Sequence, residues 1–247
     1  MKSEASPLAH VRDLLNLSLY LYRRAFGILI GYSAWLLLPI AASFLVVVTL
    51  ADTTIGDVLL IILNVATFVL AVWVSITLTI VSADLLFKDP IQPDVIATKT
   101  RARFFPVILV VLLVGIIQLV GFLLFIIPGI ILAVWYGFAQ AETILNEKTW
   151  LTALASSREL SRGRFGDVLW RFFGGELMLV AVYVAFSLLL ESLLTLLGVG
   201  ALGIEVLLNA LSVIYLPLFI LYSTSLYLEL KRVKRAEEKK EAKEGHA

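Results

Sequence analysis

The sequence predicts an all-α polytopic membrane protein, with six transmembrane helices arranged as three hairpins and cytoplasmic amphipathic helices between them. Three observations carry this. The 247-residue chain is 60% hydrophobic and only 16% charged, with a mean hydropathy of +0.97, outside the range of a soluble globular domain. Its apolar residues gather into runs that reach the ~20 residues a spanning helix requires. All twenty Lys and Arg fall on one side of the threading that those runs define.

Taken in order, residues 1–24 form a cytoplasmic amphipathic segment. Ser6-Pro7 marks a helix start, and Leu8, Val11, Leu14, Leu15, Leu19 and Tyr22 recur at helical spacing opposite Arg12, Asp13 and Asn16. It reads as a helix lying in the membrane interface or as an extension of the first span. The transmembrane domain covers 25–230, with spans at 25–50, 58–86, 104–127, 129–146, 165–197 and 201–230. Pro39 predicts a kink in the first. The two central spans share one apolar run whose break is Pro128-Gly129. Proline cannot continue the preceding helix and glycine permits a tight reversal, so these two residues are expected at the hairpin tip. A short basic helix carrying Lys99, Arg101 and Arg103 precedes that hairpin. A further amphipathic segment over 147–164 follows it, with Trp150, Leu151 and Leu154 on one face and Arg158 and Arg162 on another. Residues 231–247 form a charged cytoplasmic tail that extends the last span.

The charges then fix the orientation. The turns at 51–57, 126–131 and 198–204 carry no Lys or Arg, and the positive-inside rule places both termini in the cytoplasm. Arg23-Arg24-Ala25-Phe26, Arg101-Ala102-Arg103-Phe104 and Arg162-Gly163-Arg164-Phe165 each open an odd-numbered span. They fit either a threefold repeat or the general preference for snorkelling arginines and interfacial aromatic rings. Arg24, Arg103, Arg158, Arg162 and Arg164 are accordingly the candidate contacts for the anionic lipid of the inner leaflet. A net charge of +1 gives no global field for nucleic acid. No cleavable signal peptide is expected, and the chain has no cysteine, which excludes thiolate chemistry.

Polar groups inside apolar spans are costly and often functional. Asn64, Thr67, Ala71, Ser75, Thr79 and Ser82 form a small and polar stripe on the second span, either a helix seam or a substrate path. Gln118 lies mid-span, while Gln140, Glu142 and Glu176 lie toward the cytoplasmic side. Gly174-Gly175 favours close helix packing. Glu191 and Glu205 stand seven residues before and after Gly198, at similar depth in an antiparallel pair. With Asp52 and Asp57 they make the outer side acidic, as protruding carboxylates or as an outward-facing cation site.

Ile127-Pro128-Gly129-Ile130-Ile131, Ala141-Glu142, and the run from Ala155 through Ser156-Ser157-Arg158-Glu159-Leu160-Ser161-Arg162-Gly163-Arg164-Phe165 resemble the membrane domain fused to some bacterial glycerophosphodiester phosphodiesterases. They also resemble related stand-alone six-helix bacterial membrane proteins. The resemblance covers residues 120–173 and is architectural elsewhere. It implies a multi-pass protein of the bacterial cytoplasmic (inner) membrane. It brings no catalytic residues, because in the fusions the phosphodiesterase chemistry belongs to a separate soluble domain.

The residues themselves offer no catalytic constellation. His10 and His246 are the only histidines, neither sits in a ligand cluster, and no phosphate-binding glycine loop occurs. No cofactor or metal is expected, and the chain is not expected to be an enzyme. The leading expectation is a non-enzymatic membrane scaffold that interacts with lipid or binds a membrane or cytoplasmic protein partner. The alternative is a small transporter or transporter subunit using its intramembrane polar groups.

Overall fold

A computed structural model describes residues 8–50 and 53–244, and its regular structure is entirely helical. Ser6-Pro7, Asp52 and His246 lie outside the described residues. The helices are α1 (Val11–Arg24), α2 (Phe26–Ser33), α3 (Leu37–Leu50), α4 (Thr54–Phe87), α5 (Pro93–Leu124), α6 (Ile126–Tyr136), α7 (Ala139–Asn146), α8 (Trp150–Ser161), α9 (Phe165–Leu196) and α10 (Ala201–Glu244). Six stretches are long and apolar enough to cross a membrane: Phe26–Leu50, Thr54–Phe87, Pro93–Leu124, Ile126–Asn146, Phe165–Leu196 and Ala201–Lys240. The protein is therefore a multi-pass membrane protein. Backbone groups are satisfied within each helix, the requirement that lipid imposes.

Consecutive helices pack on one another: α3 on α4, α5 on α6, and α9 on α10. The longest, α4 and α10, also pack together and form the spine of the bundle. One core unites Leu29, Ile76, Val81, Val107 and Leu221, while a second unites Leu14, Phe138, Val168, Tyr222 and Tyr227.

Several local expectations need correction. The chain reverses between α5 and α6 at Phe125, whose extended backbone separates the two helices. Pro128 and Gly129 instead sit in the first turn of α6, where proline's missing N–H is harmless. Gly129 lets α6 lie against α5: a Cβ there would meet the Phe122 ring, and Gly121 faces it from α5 with 3.2 Å between the Gly129 Cα and a Cβ built at Gly121. The fourth span is not one helix, since it breaks at Gly137-Phe138. The basic residues Lys99, Arg101 and Arg103 belong to the same helix as the third span. A single 3-10 turn at Ala34–Leu36, just before Pro39, interrupts the first span. The segment after 230 continues α10 and packs on the rest of the protein, burying Val233.

The N-terminal segment is held rather than loose. Arg171 on α9 donates to the carbonyls of Leu8 (3.2 Å) and Ala9 (2.9 Å), and the Ala9 amide donates to Glu229 on α10 (3.3 Å). α1 buries Leu14, Ser18 and Leu21 while Leu17, Leu19 and Tyr20 stay exposed. Its burial therefore follows one helical stripe and leaves other apolar residues uncovered.

Candidate functional site

The break between α6 and α7 creates the site. A helix interrupted at Gly137-Phe138 leaves carbonyls and an amide without intrahelical partners, and buried groups of that kind must be paired. α8 supplies the partners. The Ser157 hydroxyl donates to the Trp135 carbonyl at 2.7 Å and accepts from the Phe138 amide at 3.1 Å, and Ser161 donates to the Val134 carbonyl at 3.2 Å. The two serines are four residues apart, one turn of helix, and both are buried. Thr149 and Thr152 close a capping box at the start of α8.

With its serine face committed inward, α8 turns Arg158 and Arg162 outward. The Arg158 guanidinium stacks over the Trp135 ring, 4.3 Å from its centroid, a cation–π contact. Trp135, Arg158 and Arg162 line a groove of about 670 Å³ together with Ile131, Ala155, Phe165 and the Glu159 side chain, whose carboxylate is engaged by Lys234 and Arg162. The Arg162 side chain is 80% exposed and reaches Glu159 only at 3.5 Å. On the same helix Trp150 and Leu151 are 58% and 72% exposed. Leu154 does not share their face: it is buried. The groove thus combines two cationic forks at its rim with an apolar and aromatic wall.

Beside the groove, α7, α8 and the extension of α10 form a charged layer. Glu142, only 1% exposed, lies between Lys148 (3.6 Å) and Lys231 (3.7 Å). Lys231 also donates to the Tyr227 hydroxyl at 3.1 Å, which Asn146 contacts as well. Glu159 pairs with Lys234 at 3.4 Å. The Lys234 ammonium, with Arg162 assisting, holds the Glu159 carboxyl below the usual glutamate range. Arg164 pairs with Glu237 on α10, so the tail is tied to the junction of α8 and α9.

The other predicted residues fare differently. Arg24 is exposed. Arg103 is drawn into the protein, paired with Glu147 at 2.5 Å and donating to the Ile144 carbonyl at 3.3 Å. Asn64 faces outward and donates to its own helix at Leu60 (2.8 Å), so the stripe on α4 is not one seam: Thr79 and Ser82 are buried, and Asn64 is not. Gln118 is half-buried on α5. Glu191 and Glu205 do line one open cleft, about 600 Å³, with both carboxylates exposed. Gly175 packs directly against Tyr222, whose hydroxyl donates to the Arg171 carbonyl at 2.5 Å. The serine staple to the α6–α7 break went unforeseen, because nothing in an unbroken apolar run discloses the break. Among the described residues, no group of three or more His, Cys, Asp or Glu is placed to hold a metal ion.

Compared with known proteins, the chain matches no family model, no curated protein and no solved structure.

Proposed function

We propose that the protein is a non-enzymatic scaffold of the bacterial cytoplasmic membrane that binds anionic phospholipid of the inner leaflet through the α8 groove. The observation that carries this reading is Arg158 stacked on Trp135, with Arg162 beside it above an apolar wall. Guanidinium groups recognise phosphate oxygens through two parallel hydrogen bonds, the indole suits the headgroup boundary, and Ile131 and Phe165 suit an acyl chain. Each basic residue near an anionic surface contributes about 1 kcal/mol. The exposed Trp150 and Leu151 fit insertion of the same helix into the interface.

In this reading the consecutive helix pairs are three membrane hairpins, both termini are cytoplasmic, and α1 and α8 lie at the inner surface, leaving that face open to a protein partner. The one-sided distribution of Lys and Arg supports it. Kinship with the membrane domain of the glycerophosphodiester phosphodiesterase fusions belongs to the same proposal and rests on residues 127–131 and 155–165. A small transporter is the second reading. Neither Gln118 nor Asn64 lines any of the cavities described above, but a different polar cavity, described next, favours it.

Native mass spectrometry of the detergent-solubilised chain, titrated with phosphatidylglycerol or phosphatidylcholine, tests the proposal. The wild type retains phosphatidylglycerol selectively. Arg158→Ala with Arg162→Ala weakens that retention roughly tenfold or more, from two lost contacts of about 1 kcal/mol each, and leaves phosphatidylcholine unaffected. Equal retention of both lipids by wild type and variant overturns it.

A further inference from the structure

Between the spanning helices, α4, α7, α9 and α10 direct polar side chains into one space. Ser75 and Thr79 of α4, Gln140 of α7, Glu176 of α9, and Ser223 and Thr224 of α10 line a cavity of about 190 Å³. Three of these groups are already oriented by protein contacts. The Gln140 amide donates to the Ser75 hydroxyl at 2.7 Å, Ser223 donates to the Glu176 carboxylate at 2.8 Å, and the Thr79 hydroxyl donates to the Ser75 carbonyl at 2.8 Å. Those bonds use the Thr79 and Ser223 hydrogens and leave lone pairs on the hydroxyl and carboxylate oxygens, while the Ser75 hydrogen is not consumed and Phe172, Phe219 and Ile220 complete the lining. Glu176 takes part in none of the ion pairs among the described residues.

A carboxyl inside a spanning helix that pairs with no cationic side chain among the described residues is neutralised either by a proton or by a bound cation. The backbone adds a second, independent feature. Gly137 and Phe138, the break between α6 and α7, border the same cavity. Interrupted spanning helices border ion sites in membrane proteins; here the freed Trp135 and Val134 carbonyls are taken by Ser157 and Ser161, so the break contributes the turn that leads to Gln140 and not backbone ligands. All the available donors are hard oxygens, which excludes preference for soft metals. A single carboxylate balances one positive charge, whereas a divalent ion would leave an excess charge in the apolar layer. The volume holds an ion with a few waters, each of which occupies about 30 Å³ in the liquid.

We infer that this cavity is a binding site for one monovalent alkali cation, for which Na⁺ is the probe, coordinated by Glu176 together with the oxygens of Ser75, Thr79 and Gln140. The site is separate from the Arg158 groove and does not depend on it. Glu176 supplies the charge, the hydroxyls and the amide carbonyl replace the ion's hydration, and the broken helix gives room for them to converge.

Binding of ²²Na⁺ to the full chain in detergent, read by scintillation proximity, tests this together with the melting temperature. Melting is compared in NaCl and in N-methylglucamine chloride at equal ionic strength. The wild type binds ²²Na⁺ saturably and melts several degrees higher in NaCl. Glu176→Gln, which keeps the Ser223 contact and the shape, abolishes both effects while leaving phosphatidylglycerol retention unchanged. Ser75→Ala weakens ²²Na⁺ binding roughly tenfold, equivalent to about 1.4 kcal/mol, and serves as the second variant if Glu176→Gln does not fold. Absence of saturable binding in the wild type, or binding that survives Glu176→Gln or Ser75→Ala unchanged, overturns the inference.

Discussion

The two halves of the bundle are built on different terms, and α4 shows both. From Val72 to Ala83 it is largely buried, whereas from Thr54 to Ala71 only Gly56 is. α10 repeats the contrast: Ile220, Leu221, Tyr222, Leu226, Tyr227, Leu230 and Val233 are buried, but before them only Ile204, Val213 and Pro217 are. The packed half carries every described Lys and Arg, and the open half ends in Glu191 and Glu205. The reason is physical. Apolar helices in lipid gain nothing from the hydrophobic effect by pairing, so close approach and hydrogen bonds must hold them together. Most of those devices lie in the packed half: Gly175 against Tyr222, Ser157 and Ser161 on the α6–α7 break, and Gln140 on Ser75, with Gly121 against Gly129 the exception at the open end. The open half is largely plain hydrocarbon surface.

The contrast breaks most readily at glycine. A Cβ at Gly175 would fall on the Tyr222 side chain, so Gly175→Val forces α9 away from α10. We expect a loss of about 1–3 kcal/mol or more from overpacking, seen as a large drop in melting temperature in detergent. In the open half, a Cβ added at Gly115 would meet nothing within 4 Å, and Gly115→Ala should be neutral or slightly stabilising because alanine favours helix. Comparable losses at both positions would end the distinction.

Next in size is Ser157→Ala. It removes the acceptor of the Phe138 amide and the donor to the Trp135 carbonyl, leaving buried groups unpaired at a cost of about 1–3 kcal/mol. Asn64→Leu, on the exposed face of the open half, should change stability by less than about 0.5 kcal/mol. Thermal unfolding of both variants checks the pair.

The smallest effect is acid-dependent. Because Lys234 depresses the Glu159 carboxyl, that contact stabilises the folded state above the ordinary glutamate value and is lost as pH falls through the folded one. Protection factors at α8, which correct for the slower intrinsic exchange of amides in acid, should therefore fall below that range in the wild type. In Lys234→Gln they should already be lower near neutrality and change less with acid.

Much of this arrangement was legible in the sequence, for identifiable reasons. Spanning helices announce themselves because lipid demands long apolar runs, and the Lys and Arg partition locates one side. The same uniformity hid the rest. Ile126 to Tyr136 and Ala139 to Asn146 read as one span, since a break held by serines on another helix leaves no trace in hydropathy. Pro128 drew attention as a turn residue, but a helix tolerates proline in its first turn, so the reversal fell at Phe125. The stripe on α4 has a true helical period, yet period alone cannot tell that its Ser75 end meets neighbours while Asn64 does not. Arg158 and Arg162 were identifiable as a pair one turn apart; their relation to Trp135 required the fold.

The central claim is that the packed, basic half faces the cytoplasm. The chain has no cysteine, so Thr53→Cys, Gly200→Cys and Lys243→Cys each introduce a single thiol. In intact cells an impermeant maleimide should label the first two and spare the third until the membrane is opened. Labelling of Lys243→Cys from outside, or protection of Thr53→Cys and Gly200→Cys until lysis, would contradict the orientation and the inner-leaflet function with it.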